Sequence, residues 1–253
     1  MKNPELGTIY IEGTDFTGKD TVGKFIAGEY GVTNIQKLSL HPNNPWDADK
    51  TGEIPPDSPL FPAYLARSII WDIQHFPIDT KKRQLQLSFT ATRSAAWCHV
   101  SGDKFGDVFK ELLKFSPIFE HSFLLSASIP IKQARLKMRQ TEGGAVSLTD
   151  KLVFSNPDFV TKVDEILEKI SCQEMGAKVV KTDELTIGEV GSILIASIDE
   201  QTVSISNNDT RLIQADISPE LFRFHKEIIS YADSIAKKYS LSGTIIEKVK
   251  QPI

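Results

Sequence analysis

Residues 8–24 of the chain read TIYIEGTDFTGKDTVGK, and this stretch decides the fold. Its first four residues form a short apolar, β-branched run, which predicts a buried strand. Gly13, Gly18 and Lys19 follow with the spacing of a glycine-rich loop, and a helical pattern begins directly after them. Glycine lets a backbone approach an anion closely, and the amides of such a loop and of a helix N-terminus carry positive partial charge. The stretch therefore predicts a phosphate-binding loop between a strand and a helix.

The predicted loop places several residues against the phosphates of a nucleotide. Lys19 would reach the outer phosphates as a point charge. Asp20 stands where such loops usually carry a serine or threonine that ligates magnesium, and Thr21 follows it; we expect Asp20 or Thr21 to hold Mg²⁺. The alternative is a glycine-rich turn that binds no ligand. The predicted phosphate-binding residues are Gly13, Phe16, Thr17, Gly18, Lys19, Asp20 and Thr21.

The chain has 253 residues, 40% of them hydrophobic, and a formal net charge of −4. The length and composition suit one large α/β domain, or one domain with an appendage. The negative net charge argues against binding a nucleic-acid backbone by overall electrostatic attraction. No apolar run is long enough to span a bilayer, and the N-terminus lacks the pattern of a signal peptide. Cys98 and Cys172 have no metal-binding spacing. We therefore expect a cytoplasmic protein with two reduced thiols.

Strand and helix patterns alternate along most of the chain. Strands are expected at residues 8–11, 34–40, 85–89, 123–127 and 179–180, and helices at residues 19–30, 60–76, 131–140 and 186–197. This alternation predicts a mostly parallel sheet covered by helices on both faces. Basic residues of the helix at 131–140 are expected on its exposed face; they are Lys132, Arg135, Lys137 and Arg139.

Two further segments stand apart from this alternation. Residues 41–59 are rich in proline, asparagine and aspartate, and they predict a long loop that borders the phosphate site and contacts substrate. Residues 199–253 predict a hairpin, with strands at 202–206 and 211–214, followed by an amphipathic helix. That helix either packs on the core or offers a surface to a partner. We expect residues 1–198 to form the main domain and residues 199–253 to form a small C-terminal extension.

Residues 11–15, IEGTD, resemble the Glu-Gly-x-Asp entry to the P-loop of the thymidylate kinase family, and the resemblance extends over residues 7–198. It implies a P-loop kinase domain, ATP and Mg²⁺ as cofactors, a small nucleotide acceptor and a homodimer. In that family the aspartate contacts the sugar 3′-hydroxyl of the acceptor, and this role falls here on Asp15. The alternative is a loop aspartate that bonds its own backbone.

The resemblance also implies where the acceptor binds. Tyr64 and Arg67 resemble an aromatic residue that stacks on thymine and an arginine that bonds its edge; the alternative for Arg67 is a solvated surface position. Residues 94–97, SAAW, resemble a segment that contacts the acceptor nucleotide, with Trp97 in the place of a tyrosine. The implied acceptor-binding residues are Asp15, Tyr64, Arg67, Arg93, Ser94 and Trp97.

Residues 139–151 correspond to the lid of the family. Arg139 and Lys151 lie near positions that hold catalytic basic residues, and with Lys19 and Asp15 they form the implied catalytic set. Basic side chains that close over phosphates suit phosphoryl transfer, because positioning and charge neutralisation dominate its catalysis.

Other features of the family are missing. Residues 41–44, HPNN, stand in place of the family's Arg-Glu-Pro-Gly loop. Residues 88–90, SFT, stand in place of its Asp-Arg-aromatic motif. In an alternative alignment of this segment, Arg93 is the one residue of that motif that remains. Phe16 is apolar where some members carry a catalytic arginine. We therefore expect the basic residues of the lid to neutralise the negative charge of the migrating phosphoryl group.

The resemblance implies ATP-dependent phosphorylation of a nucleoside monophosphate, most directly of dTMP to dTDP. No protein nucleophile is expected, because the acceptor phosphate carries the attacking oxygen. The altered acceptor segments leave two alternatives. One is a kinase for another acceptor, such as a modified nucleoside or a base in DNA. The other is a non-catalytic nucleotide-binding protein that serves an interaction.

Overall fold

The structure is a computed structural model. It describes residues 8–41, 43–47, 54, 58–75, 84–103, 105–115, 119–147, 149–202, 218–239 and 244–250. Its strands are β1 (Ile9–Glu12), β2 (Asn34–Leu38), β3 (Gln84–Phe89), β4 (His121–Ser126) and β5 (Lys178–Lys181). Its helices are α1 (Lys19–Tyr30), α2 (Phe61–His75), α3 (Thr90–Ser101), α4 (Phe105–Leu113), α5 (Ile129–Thr141), α6 (Leu152–Ser155), α7 (Pro157–Met175), α8 (Ile187–Thr202), α9 (Ser218–Tyr239) and α10 (Thr244–Lys250).

The strands form one sheet in the order β2-β3-β1-β4-β5, and the pairings β1–β3, β1–β4 and β4–β5 are parallel. All residues of β1 and β3 are buried, as expected for central strands of a parallel sheet that helices cover. Helix α1 packs against β3 and α8, and α7 packs against β4 and β5. The predicted α/β class with a mostly parallel sheet is confirmed.

The main hydrophobic core lies between the sheet and the helices α1 and α8. Alternate residues of the central strands contribute to it, as the two-residue period of a strand requires. Its buried members include Ile9, Ile11, Val22, Ile26, Leu85, Leu87, Phe123, Leu125, Leu194 and Ile198. This packing fixes β1 and α1, the two elements on either side of the predicted phosphate-binding loop.

The chain forms two compact units. The first covers residues 1–37, 79–89 and 118–208, and it holds the central strands with α1 and α5 to α8. The second covers residues 38–78, 90–117 and 209–253, and it holds α2, α3, α4, α9 and α10. The predicted boundary at residue 198 stays a prediction.

The ends of several predicted elements shift. β2 ends at Leu38, two residues early, where a φ of 65° leaves the extended conformation. α5 begins at Ile129, two residues early, with Ser128 as its N-cap and Pro130 in its first turn. The predicted hairpin strands at 202–206 and 211–214 lie outside the described residues, apart from residue 202, which ends α8.

The C-terminal amphipathic helix is present as α9. Within the second unit it packs against α2, and Phe224 and Ile228 on its apolar stripe are fully buried. Tyr231 continues the stripe, with its ring 4.3 Å from that of Phe105 on α4. Of the two alternatives for this helix, packing on other helices of the chain is therefore the one observed.

None of the helices in the described residues has the length and apolar character that a membrane crossing requires. Cys98 and Cys172 are both free thiols, and burial, reinforced by the charge of Asp103, raises the pKa of Cys98 to about 12. The cytoplasmic location and the homodimer stay predictions.

Candidate active site

The loop between β1 and α1 requires glycine at both ends. At Gly13 φ is +152°, and a Cβ atom there would lie 2.5 Å from Oγ1 of Thr17 and 2.7 Å from the carbonyl oxygen of Leu125. At Gly18 φ is +93°, which residues with a side chain rarely adopt. A Cβ atom at Gly18 would meet nothing within 4 Å, so the loop is open on that side. An open glycine-rich backbone directly before a helix N-terminus suits an anion.

Lys19 is the first residue of α1, and only 5% of its surface is exposed. The helix starts here because the amide of Val22 donates to the carbonyl oxygen of Gly18 at 2.9 Å. Nζ of Lys19 donates to the carbonyl oxygen of Thr14 at 3.4 Å and lies 3.8 Å from Oδ1 of Asp15. The structure therefore brings the predicted phosphate-binding lysine and the predicted acceptor-binding aspartate together on one loop.

Asp20 has a carboxylate oxygen that suits a hard cation. Its Oδ2 accepts a hydrogen bond from Lys37 at 3.2 Å, whereas its Oδ1 is buried without a hydrogen-bond partner among the described residues. Magnesium prefers oxygen ligands, so the residues present fit this ion. Thr21 lies one position further on, at an exposed position of α1. Asp20 is thus the better placed of the two predicted ligands.

Phe16 lies in the middle of the loop with a φ of +66°, which is uncommon for a residue with a side chain. The guanidinium carbon of Arg139 lies 5.6 Å from the centroid of its ring, within the range of a cation–π contact. Arg139 also lies 3.8 Å from Oδ2 of Asp150. The structure therefore brings the predicted lid arginine to the predicted phosphate-binding loop. The ring of Phe16 also packs against an apolar cluster formed by Leu136, Val153 and Val160.

Lys151, the second predicted lid residue, is exposed and directly precedes α6. Its carbonyl oxygen accepts the amides of Phe154 and Ser155, which anchors the start of this short helix. In the described part of the chain its ammonium group has no ion pair or hydrogen bond. The structure thus does not bring Lys151 to the loop in the way that it brings Arg139.

Lys132 is not on the exposed face of α5, contrary to the sequence prediction. It is 0% exposed, and its Nζ donates to Oγ1 of Thr14 at 2.7 Å and to the carboxylate of Asp164 on α7. The prediction was wrong because helical periodicity assigns charged residues to solvent unless a buried partner is known. Here the partner is a carboxylate from another helix.

Arg135 is also turned toward the loop instead of lying on an exposed face. Its Nη1 donates to the carbonyl oxygen of Phe16 at 2.8 Å, and its Nη2 donates to that of Thr182 at 2.8 Å. Burial lowers the pKa of Arg135, and the nearby carboxylate of Asp183 opposes this. Lys137 and Arg139 are exposed as predicted. Lys132 and Arg135 therefore bond polar groups of the loop, whereas Arg139 contacts it through the ring of Phe16.

Glu12 is part of the quoted Glu-Gly-x-Asp motif, but the sequence analysis assigned no role to its carboxylate. It is fully buried, and its carboxylate accepts hydrogen bonds from the hydroxyl of Tyr10 at 2.6 Å, the amide of Gly13 at 2.9 Å and the amide of Phe89 at 3.0 Å. One carboxylate thus joins the end of β1 to the first loop glycine and to the end of β3. A glutamate within an otherwise apolar strand, directly before a glycine, is the signal that could have revealed it.

No protein-family model matches the chain, and no curated protein is similar to it in sequence. Solved structures do resemble it. A thymidylate kinase from Candida albicans is similar with a TM-score of 0.56 and 14% identity, over 81% of this chain and 96% of that chain. A deoxyadenosine kinase from M. mycoides with bound dATP is similar with a TM-score of 0.51 and 16% identity, over 76% of this chain and 99% of that chain.

The fold is that of the P-loop nucleotide kinases. The predicted resemblance is thereby confirmed at the level of the fold, and the glycine loop with Lys19 lies between the first strand and the first helix.

The residues predicted to read the acceptor base in this P-loop kinase fold lie on α2 in the second unit. Tyr64 is fully buried, and the ring of Trp46 meets its ring edge to face at 5.3 Å. Arg67 is 5% exposed; its Nη1 donates to Nδ1 of His225 at 2.9 Å, and its Cζ lies 5.0 Å from the centroid of Trp46. The alternative of a solvated Arg67 is therefore wrong, and burial lowers its pKa.

The C-terminal helices cover these two residues within the second unit. His225 belongs to α9, and Lys248 belongs to α10. Nζ of Lys248 lies 4.8 Å from the centroid of Trp46 and 5.6 Å from that of Tyr64. Two aromatic rings and two cations thus pack together at the two residues for which the resemblance implied contacts with a base.

The segment that follows β2 is anchored on α2. The carboxylate of Asp72 accepts the amides of Leu40 at 2.8 Å and His41 at 3.1 Å, and burial raises the pKa of Asp72 to about 7. The side-chain amide of Asn44 donates to the carbonyl oxygen of Ser68 at 3.0 Å. The described part of the predicted substrate loop is therefore held by hydrogen bonds to α2.

The remaining predicted acceptor residues lie on α3, also in the second unit. Arg93 and Trp97 are one helical turn apart and half-buried, whereas Ser94 is buried. Ser88, where the family resemblance implies an aspartate, is buried with a φ of 58°, and its hydroxyl oxygen has no partner in the described residues. β3 itself therefore contributes no acidic side chain at its end.

Proposed function

We propose that the chain transfers the γ-phosphoryl group of ATP to a nucleoside monophosphate, with dTMP as the leading acceptor. The observation that carries the proposal is the buried ammonium group of Lys19, which lies on a loop that requires glycine at Gly13 and Gly18. A cation, a row of loop amides and a helix N-terminus together suit a polyphosphate. The likeness of the fold to a thymidylate kinase and a deoxyadenosine kinase supports the same proposal.

On the ATP side, the ammonium group of Lys19 keeps its hydrogen bond to the carbonyl oxygen of Thr14 and donates its other protons to the β- and γ-phosphates, and the loop amides hold the same phosphate oxygens. Asp20 would hold Mg²⁺ through its Oδ1. When bound, this ion neutralises phosphate charge. Lys19 keeps the phosphates close to the N-terminus of α1, whose dipole favours negative charge.

On the lid side, Arg139 and Lys151 supply positive charge to the migrating phosphoryl group. Arg139 already lies over the ring of Phe16, so a change of its rotamer can direct its guanidinium group to phosphates held by the loop. The attacking oxygen belongs to the acceptor phosphate, and Asp15 orients the acceptor through its sugar hydroxyl. Positioning and charge neutralisation are thus the whole contribution of the protein.

A phosphotransferase for another acceptor is the second candidate, and the burial of Tyr64 favours it. The ring of Tyr64 is covered by Trp46 and by the ammonium group of Lys248, so stacking on thymine requires both to move. Nη1 of Arg67 is bonded to His225. An acceptor that is read by other groups, such as a modified nucleoside or a base in DNA, needs no such rearrangement.

The test is an ADP-release assay with ATP and Mg²⁺, offered each of the four deoxynucleoside monophosphates and a single-stranded oligonucleotide. Fastest turnover with dTMP supports the leading proposal. Turnover with another acceptor alone supports the second candidate. ATP binding by calorimetry without transfer to any acceptor contradicts both and favours a non-catalytic nucleotide-binding protein.

A further inference from the structure

We propose that Lys132 is a positioning residue for ATP binding, which acts by holding Thr14 of the phosphate-binding loop while Asp164 holds Lys132. The inference rests on the proposed function, because it takes ATP to be the ligand of the loop. It assigns a role to a buried charged cluster that none of the proposed ATP or acceptor contacts uses. Lys132 itself is 0% exposed, so it offers no surface to a nucleotide.

Three polar groups close a triangle beside the loop. Nζ of Lys132 donates to Oγ1 of Thr14 at 2.7 Å and to the carboxylate of Asp164. The hydroxyl of Thr14 has one proton, and it donates this proton to Oδ1 of Asp164 at 2.6 Å. Its lone pairs remain to accept from Lys132, so the hydroxyl is bonded on both sides. This arrangement fixes the rotamer of Thr14, whose β-branched side chain is stiff.

Thr14 connects the triangle to the lysine that is proposed to bind phosphate. Its carbonyl oxygen accepts hydrogen bonds from Nζ of Lys19 at 3.4 Å and from Oγ1 of Thr17 at 2.9 Å. A change in the orientation of Thr14 therefore displaces the group that holds the ammonium of Lys19. Lys132 acts on Lys19 through this one residue.

Helix α5, which carries Lys132, also contacts the loop on the other side of Asp15. Arg135 lies one helical turn after Lys132 and donates to the carbonyl oxygen of Phe16 at 2.8 Å. Phe16 has a φ of +66°, a conformation that persists only where its surroundings impose it. Thr14 and Phe16 are the two neighbours of Asp15 in the chain. α5 therefore holds the loop on both sides of Asp15.

A gain in stability is a weak explanation for this cluster. Burial lowers the pKa of Lys132, and the carboxylates of Asp164, Asp15 and Asp183 oppose that change. A well-packed apolar pair of similar volume is often at least as stable as a buried ion pair. The charges are therefore better explained by the geometry that they impose on Thr14 than by a contribution to folding.

A matched pair of substitutions at Thr14 tests the inference on the full chain. Thr14→Val keeps the shape of the side chain and removes its hydroxyl, whereas Thr14→Ser keeps the hydroxyl. Calorimetric titration with ATP and Mg²⁺ is expected to show affinity reduced at least about tenfold for Thr14→Val and within about twofold of the original chain for Thr14→Ser. An affinity of Thr14→Val within about twofold of the original chain would overturn the inference.

The double substitution Lys132→Met with Asp164→Leu separates positioning from folding. It removes both charges and keeps apolar volume, so the midpoint of thermal unfolding is expected at or above that of the original chain. The affinity for ATP is nevertheless expected to fall about tenfold, because Thr14 has lost both partners of its hydroxyl. If affinity is retained together with stability, the role of the cluster is structural and the inference is wrong.

The two proposals fail in different ways. If the original chain does not bind ATP with Mg²⁺, both the proposed function and the role of Lys132 are contradicted. If it binds ATP and the variants bind equally well, only the role of Lys132 is contradicted.

Discussion

Nη1 of Arg67 lies 2.9 Å from Nδ1 of His225, and both side chains are buried. A guanidinium group carries only N–H donors, so Nδ1 of His225 is the acceptor and carries no proton. Burial, followed by the charge of Arg67, lowers the pKa of His225 below its ordinary value of 6.5. His225 therefore stays neutral in the folded protein at pH values where the unfolded chain binds a proton there.

This contact predicts a loss of stability in acid. As the pH falls below about 6.5, the unfolded chain takes up a proton at His225 that the folded chain refuses, so the free energy of unfolding decreases. The free energy of unfolding stops decreasing only when the pH is below the lowered pKa of His225 in the folded protein. His225→Gln keeps an acceptor for Arg67 without a titrating group, so it should remove this part of the pH dependence.

The midpoint of thermal unfolding, measured between about pH 5 and pH 8, checks this prediction. His99→Gln is the matched control, since His99 is exposed on α3. If the thermal midpoint changed with pH equally in the original chain and in His225→Gln, Nδ1 of His225 would not be held neutral by Arg67.

Lys19→Met is expected to abolish ATP binding at the loop and to lower turnover by about 100-fold or more, because a charge that meets the outer phosphates is lost. Lys24→Met is the control, since Lys24 is an exposed lysine of the same helix. Calorimetry and ADP release measure the two effects. If Lys19→Met bound ATP as tightly as the original chain, Lys19 would not be a phosphate-binding residue.

Gly13→Ala is expected to destabilise the protein by about 2 kcal/mol, because the added Cβ meets Thr17 and backbone at distances that no real Cβ tolerates. Gly28→Ala on α1 is the control, since a Cβ there meets nothing within 4 Å. It should stabilise the helix by about 0.5–1 kcal/mol. Urea titration followed by circular dichroism measures both, and equal effects would contradict the described loop geometry.

Glu12→Ala is expected to lower the free energy of unfolding by about 3 kcal/mol, because three buried donors lose a charged acceptor. Glu29→Ala, at an exposed position of α1, should leave it within about 0.5 kcal/mol. The same urea titration measures the difference. A change at Glu12 no larger than that at Glu29 would mean that the carboxylate does not join β1 to β3.

The sequence was sufficient to predict the fold and the glycine-rich loop between β1 and α1 because their determinants are local. β1, the two glycines and α1 follow one another without interruption, and the predicted bounds of α1, residues 19–30, agree with the structure. Apolar strands that alternate with helices leave few other arrangements than a parallel sheet between helices.

Contacts between distant residues could not be predicted in this way. Lys132 meets Asp164 at a separation of 32 residues and Thr14 at a separation of 118. His225 is 158 residues from Arg67. Helical periodicity reports which face of a helix a residue occupies, but it does not report which partner makes burial of a charge tolerable. The burial of Lys132 and Arg67 was therefore missed, although both residues lie in predicted helices.

The most direct test of the proposed kinase activity follows the phosphoryl group itself. The chain is incubated with Mg²⁺, ATP labelled at the γ-phosphate and a mixture of deoxynucleoside monophosphates, and the products are separated by chromatography. The account predicts label in a nucleoside diphosphate, most strongly dTDP, and none with Lys19→Met. Bound ATP with no label in any nucleotide other than ATP would contradict it.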